Sequence, residues 1–331
     1  METRRLGKSD LMVQPIIFGA WAIGGWYWGG TDDDEAIKAI HASIDAGVTT
    51  IDTAPMYGFG HSEEIVAKAI KGKREKVVIA TKAGMRWDNA NGQFFFNATD
   101  AAGVTHPIYR VLKRDSIIEE CERSLKRLQV DAIDLYQCHW PDSTTPLAET
   151  MEAMVRLKEQ GKVRAIGVSN FTAAMMEECL RHGAVASDQP QYSLLVRDIE
   201  RDVLPFCRRQ EIGVIVYRPL EQGILTGKVT AERRFPPGDL RQNEPWFRPQ
   251  NRRRVLDALD KVVPIAKDHG VTLAQMIINW TIHEPGVTSA IVGARRAKQA
   301  VENAGAANFR LSDGERATIR RTFEGLGGPL A

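Results

Sequence analysis

The sequence predicts an α/β protein in which eight parallel strands, each followed by helical chain, close into a (β/α)8 barrel. Short apolar, β-branched runs alternate with longer amphipathic stretches along the chain. The short runs are apolar without strict period-two alternation, as strands covered by helices require. Eight such units in 331 residues fit a closed barrel better than an open sheet.

The chain opens with Gly7-Lys8-Ser9-Asp10 between short apolar segments, which predicts an N-terminal hairpin ahead of the first strand. Strands are predicted at 15–20 (PIIFGA), 49–52 (TTID), 77–81 (VVIAT), 132–138 (AIDLYQC), 165–168 (AIGV), 185–189 (VASDQ), 212–217 (IGVIVY) and 288–292 (TSAIV). Between them, Asp115 or Ser116 is expected to cap a helix carrying Ile117, Ile118, Cys121, Leu125 and Leu128 on one face. Thr145 followed by Pro146 opens another helix, which Gly161 closes. Thr272 and Gln275 make a capping box before Leu273, Met276, Ile277 and Trp280. Two connections are too long to be mere connectors, 83–113 after the third strand and 219–250 after the seventh. Both leave the C-terminal ends of strands, the face on which such barrels build their sites. No stretch reads as an interdomain linker, so residues 1–331 are expected to form a single domain.

Composition narrows the function. Apolar residues make up 43% and charged residues 26%, the balance of a globular protein with a large core. The net charge of +2 gives no general reason to expect nucleic acid or a membrane surface as partner. No run approaches the roughly 20 apolar residues needed to span a bilayer, and METRRLGKSD does not read as a signal peptide. Cys121, Cys138, Cys179 and Cys207 lack CxxC spacing and read as reduced thiols of a cytoplasmic protein without a metal site. There is no GxGxxG after the first strand and no GxxxxGK[ST] loop, so a dinucleotide domain of the Rossmann type is not expected.

Four polar residues stand where apolar strands end. Asp52 closes the second strand, Lys82 the third and His139 the fourth, and Tyr57 lies just beyond Asp52. In a right-handed succession of βα units these strands are neighbours, so the four side chains converge on one rim. Reducing a carbonyl takes a hydride to carbon and a proton to oxygen. A phenol with a pKa of about 10 is a poor acid or base at neutrality. An adjacent ammonium favours phenolate, and an aspartate can hold that ammonium in place. A neutral histidine can donate to the substrate oxygen.

The runs GVTTIDTAPMYGFGHSEE (47–64), VVIATK (77–82), DLYQCHWPD (134–142) and GKVRAIGVSNF (161–171) resemble, in order, four sequence blocks of the aldo-keto reductases. The resemblance extends from the first strand to about residue 308. It implies an NADPH-dependent oxidoreductase that reduces aldehydes or ketones to alcohols. Tyr57 would then be the general acid/base, Lys82 and Asp52 would tune it, and His139 would orient the carbonyl. It also implies a nicotinamide cofactor extended across the barrel mouth. Ser169, Asn170 and Gln191 would bind the carboxamide and Tyr217 would stack on the ring. Leu220, Gly223, Leu225, Thr226, Gly227 and Lys228 would pass beneath the pyrophosphate. Gly293, Arg295, Gln299 and Asn303 would surround the adenosine, with Arg295 at the 2′-phosphate, which favours NADPH over NADH. Arg218 is likewise expected at the cofactor, although it stands where the family often has a small residue, and Glu221-Gln222 also departs from the commoner pattern.

Aromatics crowd the expected mouth. Trp21, Trp26, Tyr27 and Trp28 follow the first strand, Trp87 and Phe94 to Phe96 the third, and Trp140 the fourth. A pocket formed by Trp21, Trp26, Trp87 and Trp140 suits a modest aldehyde or ketone. A second reading is an NADPH-binding interaction protein of the kind that serves as a potassium-channel β subunit. The oligomeric state is open at this level.

Overall fold

The computed structural model describes residues 1–25, 28, 30–236 and 238–330. The barrel strands are β1 (Ile16–Gly19), β2 (Thr50–Asp52), β3 (Val78–Ala83), β4 (Ile133–Cys138), β5 (Val163–Ser169), β6 (Ser187–Gln189), β7 (Gly213–Val216) and β8 (Ser289–Gly293). They pair in parallel in chain order, and β8 closes on β1 through Ile291↔Ile17 and Gly293↔Gly19. This is a (β/α)8 barrel. Each strand lies within the run its sequence predicted, or extends one or two residues beyond it.

The helices are α1 (Asp33–Asp45), α2 (His61–Ile70), α3 (Arg114–Leu128), α4 (Leu147–Glu159), α5 (Ala173–Leu180), α6 (Val203–Gln210), α7 (Pro249–Asp268), α8 (Leu273–Ile282), α9 (Ala297–Gly305) and α10 (Asp313–Glu324). The main core lies between strands and helices, from Phe18, Ile51 and Ile79 on the sheet to Ile40, Ile65 and Met276 on the helices. A second cluster fills the barrel with Ile17, Ala80, Leu135, Ala165, Ile215 and Ile291. Val13 of the antiparallel pair Arg4–Arg5 and Met12–Val13, with Leu6 and Leu11 from the chain between the two strands, belongs to the same cluster. That pair is the expected hairpin. It packs with the barrel interior, and the rim at the strands' C-terminal ends remains for chemistry.

The Thr272–Gln275 capping box forms, with Gln275 N–H donating to Thr272 Oγ1 at 3.2 Å and Thr272 N–H to Gln275 Oε1 at 3.0 Å. The third helix starts elsewhere than expected. It begins at Arg114, and the preceding Lys113 supplies no side-chain cap. The Arg114 N–H is taken by Glu149 Oε1 at 3.1 Å, while Ser116 Oγ is occupied by Arg86 and Glu120. A carboxylate from the next helix therefore replaces the local cap. Pro146 directly precedes α4, and Gly161, at φ +74°, lies just beyond its end.

The connection after β3 holds its own antiparallel sheet of Met85–Arg86, Gln93–Thr99 and Thr105–Arg110. The connection after β7 is a series of 3₁₀ turns, Glu221–Thr226, Leu240–Gln242 and Pro245–Phe247. The four cysteines are buried and unpaired, and no helix among the described residues is long and apolar enough to cross a membrane.

Candidate active site

Strand register brings the polar residues together. Gly19 pairs with Asp52, Asp52 with Ala80, and Lys82 with Gln137. His139 follows directly after β4, its N–H on Ala83 O at 2.9 Å. Tyr57 is placed by a close backbone crossing. A Cβ on Gly58 would lie 2.2 Å from Gly24 O, and one on Gly24 would lie 2.7 Å from Tyr57 O. Only glycines allow these two loops to touch.

The Lys82 ammonium is fully buried and has three partners. It donates to Asp52 Oδ1 at 2.6 Å, to Thr53 O at 2.8 Å and to Tyr57 Oη at 3.2 Å. Its three N–H bonds match three acceptors, which is what makes burying a charge tolerable. Burial works against the Lys82 ammonium, but Asp52 and Tyr57 overcome it and raise its pKa. Burial pushes the Tyr57 phenol above its ordinary value, while the Lys82 charge pulls it back down. Burial, helped by the Lys82 charge, holds the His139 imidazole well below its ordinary value, so the ring is neutral at pH 7. The His139 ring stands edge-on to Tyr57, with centroids 5.8 Å apart. The four groups thus offer a half-buried phenol beside a cation and a neutral imidazole, an arrangement able to give a proton to a carbonyl oxygen or take one from an alcohol.

Two further residues belong to this cluster, and sequence reasoning missed them. Gln189 Nε2 donates to Asp52 Oδ2 at 2.8 Å and to Gln137 Oε1 at 3.2 Å, and Gln137 Nε2 reaches Asp52 Oδ2 at 3.3 Å. Both glutamines are buried. A signal was present, since Gln137 is an amide inside an apolar strand two residues before His139, on the same face. The pair satisfies the carboxylate oxygen that Lys82 leaves free.

A cleft of about 1210 Å³ runs from this cluster across the barrel mouth. Near the phenol it is lined by Trp21, Tyr57, His139, Trp140, Ser169, Asn170, Gln189, Tyr217 and Arg218. Tyr217 Oη donates to Asn170 Oδ1 at 2.8 Å, and Asn170 Nδ2 donates to His139 O at 3.1 Å. Asn170 sits at φ +63°, a left-handed conformation that asparagine tolerates. Farther along come Leu220, Gly223, Lys228, Gly293, Arg295, Gln299 and Asn303, with Arg296 and Lys298 beside them at the start of α9.

The other sequence-predicted positions differ in placement. Gln191 is not among the lining residues, because its amide is engaged with Glu221 Oε1 at 2.8 Å. Gln189, two residues earlier, lines the cleft instead. Leu225 is fully buried behind the wall, and Gly227, at φ +72°, ends the Glu221–Thr226 turn. Trp87 packs edge-on against Phe59 at 5.2 Å, away from the lining, while Trp140 meets Phe95 at 5.4 Å. Trp26 and Tyr27 lie outside the described residues. The Arg295 guanidinium donates to Gly30 O at 2.7 Å and Trp28 O at 3.2 Å, tying α9 to the loop after β1.

The cleft suits an elongated polar ligand with anionic groups. Trp21 Nε1, Trp28 Nε1 and Gln222 Oε1 are buried along it with no partner among the described residues. Lys228, Arg233, Arg241, Arg295, Arg296 and Lys298 gather positive charge at the end away from Tyr57. A helix start with nearby cations is a suitable phosphate site.

Residues 15–324 match the model of the family described as the aldo/keto reductase family. An aldo-keto reductase of Bacillus subtilis is 41% identical over 90% of this chain and 86% of its own. An NADH-specific methylglyoxal reductase of Escherichia coli is 38% identical over 97% of this chain and 98% of its own. The solved glycerol dehydrogenase of Gluconobacter oxydans superposes with a TM-score of 0.88 at 36% identity, covering 99% of this chain and 97% of its own. An aldo-keto reductase of Klebsiella pneumoniae, solved with NADPH, gives a TM-score of 0.72 at 31% identity, covering 100% and 96%.

Proposed function

From the premise that this chain belongs to the aldo/keto reductase family, we propose that it is an NADPH-dependent reductase of aldehydes or ketones, with Tyr57 as general acid/base. The observation that carries this reading is the three-way contact of Lys82 with Asp52, Thr53 and Tyr57 beneath an open, aromatic-lined cleft.

A nicotinamide bound here would supply the hydride. Ser169, Asn170 and the Gln189 side-chain oxygen would meet its carboxamide, and Tyr217 would offer the ring a flat face. Its phosphates would meet Lys228, the Leu220–Gly223 backbone and the start of α9. His139 donates to the carbonyl oxygen and holds it against the Tyr57 hydroxyl. As the carbonyl carbon gains the hydride, Tyr57 gives its proton to the oxygen, and the buried Lys82 ammonium stabilises the phenolate left behind. In the reverse direction the phenolate takes the proton of the alcohol.

The cations at α9 support NADPH, as does the NADPH-bound Klebsiella relative. The NADH-specific relative makes NADH the alternative to test beside it. Turnover of a panel of aldehydes and short ketones with each cofactor, followed by loss of reduced-cofactor absorbance, tests the proposal. Saturable oxidation of NADPH with at least one carbonyl is expected. Tight NADPH binding with no turnover across the panel would mark a regulatory binding protein, and no cofactor binding would contradict both readings.

A further inference from the structure

We propose that Arg218 is an anion-binding residue of the substrate site and selects short carbonyl compounds that carry a carboxylate next to the carbonyl carbon, the 2-oxo acids. The inference rests on reading this cleft as a carbonyl reductase site. It deepens that reading by naming a substrate class.

Arg218 lines the cleft together with Trp21, Tyr57, His139 and Trp140. The Trp21 ring lies 6.2 Å from the Tyr57 ring and 5.4 Å from the Arg218 guanidinium carbon, so the cation stands one aromatic ring away from the proton donor. Its charge is felt at the Tyr57 hydroxyl, which it helps to pull down. The other charges at the reacting centre cancel or are absent. Lys82 is matched by Asp52 at 2.6 Å, and His139 is neutral. Arg218 is the further cation beside them, and among the described residues one ion-pair partner holds it.

That partner is Glu244, at 3.3 Å from Nη1, and Glu244 also accepts from Gln222 Nε2 at 3.2 Å. The Arg218 Nε–H is buried and has no acceptor among the described residues. A guanidinium presents five donors in a planar fork that fits a carboxylate, and stacking on an aromatic face leaves its edge free to bond. Arg218 also sits at φ +57°, left-handed backbone that costs a non-glycine residue energy. An arginine therefore occupies a position that a glycine would adopt more easily. A carboxylate attached to the carbonyl carbon is the anionic group that stays nearest the oxygen held at Tyr57, and Trp21 and Arg218 line the same cleft. In this reaction the acid group is a handle only. The carbonyl carbon gains the hydride, its oxygen gains the Tyr57 proton, the nicotinamide is oxidised, and the product is the 2-hydroxy acid.

The test compares pyruvate and glyoxylate with their neutral amides, using wild type, Arg218→Gln and Arg218→Lys. Wild type should prefer the acids. In Arg218→Gln the acid-to-amide ratio of kcat/KM should fall by about 10- to 100-fold, the loss expected for a charge-assisted pair. The change should lie mainly in KM, and Arg218→Lys should recover part of it. Binding is read separately. Oxalate, which cannot be reduced, should quench wild-type tryptophan fluorescence saturably and fail to do so with Arg218→Gln, while melting curves confirm that each variant is folded. Equal losses for acids and amides, accompanied by weaker NADPH and NADH binding, would assign Arg218 to the cofactor and overturn the proposal. So would a wild type with no preference for acids, or oxalate binding that ignores the substitution. Failure to reduce any carbonyl compound, acid or neutral, would instead overturn the reductase reading itself.

Discussion

At the scale of single residues, the site depends on how buried charges are matched. Burial raises the Tyr57 phenol and Lys82 lowers it. Replacing Lys82 with Met removes the lowering influence, so the phenol should titrate at higher pH. The pH profile of alcohol oxidation should then move upward, with less activity at neutrality, and a profile that is lower but unmoved would give Lys82 a different role. Asp188 shows the opposite treatment of a charge. It is fully buried in β6, and although the backbone N–H groups of Phe171 and Gln189 favour its charged form, burial outweighs them and pushes its pKa up to about 8. Because the folded value lies above the ordinary 3.8, the fold holds a proton that the unfolded chain releases, so stability falls as pH rises from about 4 to about 8. Asp188→Asn should therefore flatten that decline and melt a few degrees above wild type at alkaline pH, while near pH 4 the two should converge. Calorimetry across this range checks it. Asp52, Lys82 and His139 were legible in the sequence because each ends an apolar run, and Tyr57 because it follows Asp52 closely. Gln137 and Gln189 were not, since an amide in a strand gains its meaning only when register sets it beside Asp52.

At the scale of elements, the strands were legible because β-branched apolar runs bounded by polar chain leave few other readings. Helix starts followed where the cap was local, as at Thr272, and not where it came from elsewhere, as at Arg114. The long connection after β3 announced itself by length, but its sheet did not, because its strands pair only with each other. That sheet docks beside the site. Phe95 packs against Trp140, Arg110 lies 3.7 Å from the Phe95 ring centroid, and Phe59, two residues after Tyr57, contacts Trp87 and His106. Phe95, Phe96 and Asn97 line the cleft. Replacing residues 92–108 with a short turn should therefore shift KM across carbonyl substrates several-fold while changing NADPH affinity little. If NADPH affinity collapses and substrate preference stays the same, the sheet serves the cofactor.

At the scale of the whole molecule, the barrel keeps support and chemistry at opposite ends of its strands. The N-terminal hairpin packs with the barrel interior, and the C-terminal rim carries the tetrad, the cleft and both long connections. This division explains why so much of the site could be read from strand ends alone. It also explains what could not be read, since Arg295 is tied to the loop after β1 by contacts that join residues 265 or more positions apart. In the proposed reaction the Tyr57 hydroxyl moves the proton while the rest of the rim binds and positions. Tyr57→Phe removes that one oxygen and leaves the ring, so any loss belongs to the hydroxyl. Carbonyl reduction should fall by a factor of about 10²–10⁴, with NADPH affinity, measured by fluorescence quenching, held within a few-fold of wild type. Turnover at the wild-type rate in this variant would mean that another group carries the proton.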